Sequence, residues 1–354
     1  MAYILLIVFI VLVCCSFEKE ECNIDCLNSY DRFQQLSMRG ICATFIVFSH
    51  MYRNTQIYNN QLVAGIVSLI SPSLLCMFFF YAGFAVMYKY KKLGGQRLYK
   101  CLISWNKSVI IPAAVALILS YVQGHIWGIT EEERTIGIIF NELGGWFLKT
   151  YIILQVLFWI SSLLVETNKQ LLVLLNILIV ASMILMRIVN LQSYYYIDCL
   201  AFGLGAFSCV YDNIWKKIIG KKISFYSCVC LTVLIGGGIP ILLKLGIIPA
   251  IGGVGLLAGI LNSLSQCVMY QGVMARFKFK SKNIFLFLGK CSYEVYLMGP
   301  CAYTVALNIA KTSTTYYIIY IIYCVIGGLL LNKACKLLYS IFSDFLYQVS
   351  NSRD

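Results

Sequence analysis

Charged side chains are scarce in this sequence. Only 12% of its 354 residues are Asp, Glu, Lys or Arg, whereas a soluble globular domain carries about a quarter. Hydrophobic residues make up 60% of the chain, and its mean hydropathy is +0.81. This composition excludes a soluble globular protein and indicates an integral membrane protein.

The ten-residue alternation of apolar and polar side chains that a membrane β-barrel requires is also absent. The apolar residues instead form runs of roughly 20, the length at which an α-helix crosses about 30 Å of hydrocarbon. We therefore predict an all-α fold, a polytopic transmembrane helical bundle of about 10–11 spans. The predicted spans cover residues 2–16, 38–54, 63–88, 108–127, 144–165, 170–189, 194–211, 223–243, 247–271, 284–310 and 315–340.

No linker, low-complexity segment or soluble domain interrupts these runs, so a single membrane domain is predicted over residues 38–345. Residues 1–37 are expected to form an extra N-terminal transmembrane helix and a short cytoplasmic loop, and residues 346–354 a polar C-terminal tail. The N-terminal run lacks a basic n-region and an A-x-A cleavage site, which favours an uncleaved helix over a signal peptide.

Acidic residues are outnumbered by basic ones, 15 to 28, which gives a formal net charge of +13. This excess does not indicate a nucleic-acid partner, because most of it lies in short loops between apolar runs, as the positive-inside rule predicts for cytoplasmic loops. The second span is accordingly expected to enter the membrane from the cytoplasm. The basic loops are "KYKKLGGQRLYK" (89–100), "WKKIIGKK" (215–222) and "RFKFKSK" (276–282).

The sixteen cysteines do not follow the pattern of a disulfide framework. Most lie inside apolar runs, where cysteine behaves as a small hydrophobe, and we interpret them as free thiols. Cys22 and Cys26 are spaced like half a metal site, but no second half follows nearby, and no metal is expected. Gly203 and Gly205 stand outside any phosphate-binding motif and are interpreted as helix-packing residues.

Two polar side chains, Arg39 and His50, stand within the apolar segment "MRGICATFIVFSH" (38–50). Eleven residues correspond to about 16 Å of helix rise and a rotation of about 1,100°, close to three turns, so both side chains are predicted on one helix face. Ionisable groups inside a membrane are costly and therefore indicate function. The structural alternative is that His50 forms a hydrogen bond between helices and Arg39 anchors at the interface.

Several segments resemble, in order, the motifs of the acyltransferase 3 family of membrane O-acyltransferases. "RGICATFIVFSH" resembles the family's first motif, in which an arginine and a histidine are separated by ten residues. The resemblance spans about residues 36–340. The other matching segments are "FFFYAGF" (78–84), "NKSVIIP" (106–112), "WFLKTYI" (146–152), "FGLGAF" (202–207) and "LGKCSYEVYLMGP" (288–300).

Three positions depart from the family's pattern. Ala82 replaces a serine, so no hydroxyl is available there. Lys107 is retained in the basic segment, but the arginine clusters of relatives are not. Gly299 stands where relatives often have a histidine. The role of that histidine is therefore dispensable here or is supplied by another residue.

The resemblance implies transfer of an acyl group, usually acetyl, from cytoplasmic acetyl-CoA to a hydroxyl of a cell-envelope sugar. The protein would then be a multi-pass protein of the cytoplasmic (inner) membrane, whose partners are membrane lipid, acyl-CoA and a carbohydrate acceptor. Arg39, with Lys107, is expected to contact the phosphates of coenzyme A. His50 is expected to act as a general base on the acceptor hydroxyl or to carry the acyl group covalently.

A group that orients His50 must come from another helix, because no carboxylate lies one turn away on its own. Glu294 and Asp198 are the candidates for this role. Trp146, Tyr293 and Tyr296 are candidates for lining the pocket or donating to the oxyanion, with core packing as the alternative.

Other classes of membrane protein share this hydropathy. A transporter or flippase of envelope glycan precursors is the principal alternative, although no internal repeat of the helix pattern is detected. A glycan polymerase would carry a larger extracytoplasmic loop than any present here. A third alternative is a sensing or anchoring protein without turnover.

Overall fold

A computed structural model describes residues 2–18, 31–54, 61–93, 109–126, 145–235 and 252–351. These ranges contain fourteen α-helices and one two-stranded antiparallel ribbon. The fold is all-α, as the sequence predicted. The elements are α1 (Ala2–Cys15), β1 (Phe17–Glu18), α2 (Arg32–Asn54), α3 (Gln61–Leu93), α4 (Ile111–Ile126), α5 (Gly145–Leu164), α6 (Asn168–Ile188), α7 (Cys199–Val210), α8 (Asp212–Gly220), α9 (Lys222–Val233), α10 (Gly252–Arg276), β2 (Lys278–Phe279), α11 (Ile284–Gly289), α12 (Ser292–Leu297), α13 (Gly299–Ile309) and α14 (Ser313–Asn351).

Three helical segments within the described ranges are long and apolar enough to cross a membrane: 146–164, 168–188 and 314–341. A fourth span results if the segment 193–210 and α8, bent by 109° at their junction, count as one. α1, α4 and α9 are apolar but shorter. The total of about 10–11 spans stays a prediction, because several predicted spans extend into segments outside the described residues.

Two expectations about the helices are wrong. The basic segment 215–222 is not a loop, because α8 covers residues 212–220. Its apolar side chains Trp215 and Ile219 are four residues apart and both buried, so they form one helix face, while Lys216 and Lys217 remain at least partly accessible.

The predicted span 284–310 is also wrong as one helix, because it consists of three short helices, α11, α12 and α13. Pro300 stands in the first turn of α13, where its missing N–H costs nothing, but its ring would clash with the carbonyl of Tyr296 in a continuous helix. Asn283 begins α11, since its Oδ1 accepts a hydrogen bond of 2.7 Å from the Leu286 N–H.

α2 packs directly on α11 and α12, and α3 on α7. Glycine permits both close approaches. A Cβ on Gly40 of α2 would overlap the carbonyl oxygen of Phe285, and a Cβ on Gly289 would overlap that of Leu36. In α7, a Cβ on Gly205 would likewise overlap the carbonyl oxygen of Phe80, which agrees with its interpretation as a packing residue.

α1 packs on the same part of the bundle. The ring of Phe9 contacts Phe45 of α2 at 5.5 Å and Phe285 of α11 at 6.0 Å between centroids. The β1–β2 ribbon continues this contact, since Phe17 stacks on Phe279 at 4.5 Å. The opposite side of α1 exposes apolar side chains such as Ile7, as expected for a surface that faces lipid.

Candidate functional site

Arg39 and His50 of α2 both contact the same neighbouring helix, α12. It is continuous from Arg32 to Asn54, so the eleven residues between the two side chains complete about three turns. The Arg39 Nη2 donates a hydrogen bond of 3.1 Å to the Ser292 Oγ of α12. The His50 ring packs edge-on against Tyr296 of the same helix, with centroids 6.0 Å apart. Both side chains therefore lie on the face of α2 that packs on α12.

Arg39 lies about 10 Å into α2, since the helix begins seven residues earlier. Its electrostatic neighbours include Glu294 of α12, Tyr151 of α5 and Tyr81 of α3. No carboxylate within the described part of the chain comes within 4.0 Å of the guanidinium. Arg39 is thus held by a neutral hydroxyl and retains donors for an anionic ligand.

A chain of aromatic contacts leads from His50 to α5. The ring of Tyr296 contacts His50 on one side and Phe147 on the other, at 5.7 Å between centroids. Phe147 in turn stacks on Tyr151, one turn further along α5, with the planes inclined by 17°. These rings connect the surroundings of His50 with those of Arg39, since Tyr151 is a neighbour of both Phe147 and Arg39.

A small apolar recess lies beside this aromatic chain. Ile46, which lines it, stands four residues before His50 and therefore on the adjacent turn of α2. Helices α2, α3, α5 and α12 all contribute to its wall. The complete lining consists of Ile46, Leu75, Phe78, Phe147, Tyr293 and Tyr296.

The two tyrosines of the recess differ in their hydroxyls. The Tyr293 hydroxyl donates a hydrogen bond of 3.4 Å to the Val109 carbonyl. The Tyr296 hydroxyl is buried and has no hydrogen-bond partner among the residues that the structure describes. A buried hydroxyl without a partner is costly, because folding removes it from water without replacing the hydrogen bond.

The two carboxylates proposed for orienting His50 have other partners. Glu294 Oε1 accepts a hydrogen bond of 2.6 Å from the Asn332 Nδ2 of α14. Asp198 is buried at the N-terminus of α7, beside Ser263 of α10. Glu294 therefore lies on the helix that His50 contacts, whereas Asp198 belongs to a separate polar cluster.

The remaining predicted residues lie at the edge of the site or outside the described ranges. Trp146 is the neighbour of the recess residue Phe147, and its ring packs against Tyr194 and Tyr195 at 5.1 and 6.3 Å. This aromatic cluster lies beside the recess without forming its wall. Lys107 lies outside the described residues.

The departure at position 299 has a steric explanation. Gly299 is buried, and a Cβ there would lie 3.3 Å from the Tyr320 hydroxyl of α14. This distance is tighter than ordinary van der Waals contact, so a histidine would require Tyr320 to move.

The sequence interpretation did not identify Ile46, Leu75, Phe78 and Phe147 as site residues. Three of them belong to quoted segments, namely Ile46 to 39–50, Phe78 to 78–84 and Phe147 to 146–152. With the two tyrosines of 288–300, four of the six segments meet at one recess. Their convergence was the available signal, but apolar residues in a membrane helix resemble ordinary packing residues.

This arrangement is suited to acyl transfer. An imidazole, which can accept a proton near neutral pH, lies beside a phenol that can donate a hydrogen bond. An apolar recess adjoins both, and a guanidinium suited to phosphates lies three turns away on the same helix face.

The sequence model of the acyltransferase 3 family, described as "Acyltransferase domain", matches residues 37–333. The match begins after α1 and β1 and includes every residue of the recess. No curated protein and no solved structure matches the chain.

Proposed function

As a member of the acyltransferase 3 family, this chain is a membrane acyltransferase, and we propose that it transfers an acyl group, acetyl in the simplest case, from acyl-CoA to a hydroxyl of a cell-envelope or exopolysaccharide sugar. The observation that supports the site most directly is the contact between His50 and Tyr296 beside the apolar recess. We assign the protein to the cytoplasmic membrane, where the donor is available on the inner side.

In the proposed reaction, His50 acts as the general base. Its imidazole accepts the proton of the acceptor hydroxyl as the oxygen attacks the thioester carbonyl carbon. The Tyr296 hydroxyl donates a hydrogen bond to the carbonyl oxygen, which becomes an oxyanion. The carbon–sulfur bond then breaks, a carbon–oxygen bond remains, and the departing thiolate receives the proton from His50.

Arg39 binds the phosphates of coenzyme A in this proposal, with Lys107 as a second cation. The Arg39 guanidinium uses one donor on Ser292, and its planar fork suits bidentate contact with a phosphate. The distance of about 16 Å between Arg39 and His50 along α2 suits a donor whose phosphates and thioester are separated by the pantetheine arm.

The test is acyl transfer by the purified full chain in lipid nanodiscs. Radiolabelled acetyl-CoA is supplied with a panel of envelope glycans, and the label in the glycan is measured. Mass spectrometry of envelope glycans from cells with and without the gene identifies the acceptor independently. Labelled glycan in both experiments supports the proposal, whereas identical glycans in the two strains and an unlabelled panel contradict it.

The kinetic pattern separates the two routes that His50 permits. Direct transfer requires both substrates to be bound together, whereas a covalent acyl-histidine gives ping-pong kinetics and label on the protein in the absence of acceptor. We expect the direct route, with no labelled protein after incubation with donor alone.

A further inference from the structure

The carboxylate that acts on Arg39 is bonded to a different side chain. Glu294 of α12 is the carboxylate that interacts most strongly with the Arg39 guanidinium. No carboxylate oxygen of the described residues lies within 4.0 Å of that guanidinium, however. The Glu294 Oε1 instead accepts a hydrogen bond of 2.6 Å from the Asn332 Nδ2 of α14. The two opposite charges are therefore kept apart, although buried charges are usually paired.

The packing of α14 on α12 places the Asn332 amide. The two helices approach each other closely at Gly328, where a Cβ would lie 2.7 Å from the Val295 Cα. Asn332 stands four residues further along α14 and therefore one turn away on the same face. This face meets α12 beside Glu294, the residue that precedes Val295. The hydrogen bond between Asn332 and Glu294 thus belongs to a close helix contact.

Glu294 needs a partner because it is buried. A buried carboxylate without a hydrogen-bond donor carries the full cost of its lost hydration. If the Asn332 amide were removed, Arg39 would be the partner available, since its guanidinium is half-buried and uses one donor on Ser292. Hydrogen bonds between a guanidinium and a carboxylate are strong and often bidentate.

Lys336 is a second cation in this neighbourhood. It stands one turn beyond Asn332 on α14, and both Lys336 and Glu294 act electrostatically on the Cys291 thiol. Its side chain is exposed, and an ion pair at an exposed ammonium gains little because water competes for both charges. The half-buried Arg39 is less screened and more weakly hydrated. A Glu294 carboxylate released by Asn332 is therefore expected to pair with Arg39.

We propose that Asn332 is a positioning residue, which holds the Glu294 carboxylate away from Arg39 and so keeps the guanidinium available to the phosphates of coenzyme A. A direct pair between Glu294 and Arg39 would occupy the donors that the phosphates need. From its present position, Glu294 still compensates part of the Arg39 charge when no donor is bound. This inference rests on the donor-binding part of the proposed function, the contact of Arg39 with the phosphates.

The experiment measures equilibrium binding of radiolabelled coenzyme A to the full chain in lipid nanodiscs. Asn332→Leu removes the amide at nearly constant volume, and we expect it to raise the Kd about tenfold. Glu294→Gln removes the competing charge, so the Kd of the double variant should return to the wild-type value or fall below it. Asn308→Leu is the matched control and should leave the Kd unchanged, because the Asn308 amide donates to the Thr304 carbonyl of its own helix.

Steady-state kinetics provides a second readout. Asn332→Leu should raise the KM for acyl-CoA by the same factor as the Kd and leave kcat nearly constant, because His50 and Tyr296 keep their contact. A general distortion of the site would lower kcat as well. The split between KM and kcat therefore distinguishes a positioning role from a structural one.

Suppression by the second substitution decides the question. A Kd that is raised equally in Asn332→Leu and in the double variant shows lost packing and overturns the inference, as does an unchanged Kd in folded Asn332→Leu. If Asn332→Leu fails to fold, Asn332→Ser takes its place, since its shorter hydroxyl does not reach Glu294.

The same measurements separate this inference from the proposed function. A wild-type chain that binds coenzyme A but transfers no acyl group contradicts the proposed function and leaves the role of Asn332 to be decided by the Kd values. Acyl transfer by the wild type together with an unchanged Kd in Asn332→Leu contradicts this inference alone. A wild-type chain that binds no coenzyme A overturns both.

Discussion

Arg39 and Ser292 are 253 positions apart in the chain and are joined by a hydrogen bond of 3.1 Å from Nη2 to Oγ. The bond connects α2 with α12 about three turns of α2 before His50 contacts Tyr296 of the same helix. Two contacts, one at each end of the α2–α12 face, therefore fix the two helices relative to each other. This geometry supports the first three predictions.

Replacing His50 tests the proposed base. We expect His50→Gln to reduce kcat about 10²- to 10⁴-fold, because glutamine keeps a polar side chain of similar size but cannot accept the proton. The measurement is label transfer at equal protein level in the membrane. His125→Gln is the control, since the only other histidine in the chain is exposed on α4 against Tyr121. Wild-type rates in His50→Gln would exclude catalysis by this imidazole.

Removing one hydroxyl tests the role of Tyr296. Tyr296→Phe keeps the ring contacts with His50 and Phe147, and we expect kcat to fall about 10²-fold while the donor KM stays nearly constant. Tyr316→Phe is matched, because the Tyr316 hydroxyl is also buried without a partner in the described ranges. Neither change should lower thermal stability. Equal kcat in the two variants would assign Tyr296 to packing alone.

Arg39 is predicted to act on donor binding. We expect Arg39→Lys to raise the KM for acyl-CoA roughly tenfold or more, because an ammonium cannot form the bidentate contact that a guanidinium forms with phosphate. Ser292→Ala leaves the guanidinium in place without its anchor and should raise the KM less. An unchanged KM with reduced protein in the membrane would instead show that Arg39 stabilises the fold.

The close approach of α2 and α11 depends on Gly40. We expect Gly40→Ala to destabilise the protein by about 1–3 kcal/mol, because the added methyl overlaps the Phe285 backbone carbonyl and forces the helices apart. Gly299→Ala is the comparison, since its methyl meets only the end of the Tyr320 side chain, which can move. Thermal unfolding in detergent measures both. Equal unfolding temperatures would show that α2 and α11 separate easily.

Much of the local structure is predictable from the sequence. Thr167 and Gln170 form a capping pair in which the Thr167 Oγ1 accepts from the Gln170 N–H at 3.3 Å, and α6 begins immediately after Thr167. Apolar runs predicted the positions of α1, α2, α3 and α6, although α2 starts earlier than its predicted span. These features depend on neighbours within one or two turns, and such interactions are visible in the sequence.

Predictions that required distant contacts were less successful. The segment 284–310 has the composition of one span, yet it folds as three short helices that pack on α2 and α14. The basic segment 215–222 has the composition of a loop, but it is largely helical because Trp215 and Ile219 are buried against the rest of the fold. The sequence could not distinguish Asp198 from Glu294 as a partner for His50. The fold distinguishes them, because Glu294 lies on the helix that His50 contacts and Asp198 lies beside Ser263.

The sequence by itself determined that this protein is an all-α membrane protein and that Arg39 and His50 share a helix face, because hydropathy and helix periodicity are local properties. The tertiary structure decided which side chains that helix face contacts. Tyr296, Phe147 and the apolar recess come from helices that are far apart in the chain, and their contact depends on packing that no local pattern encodes.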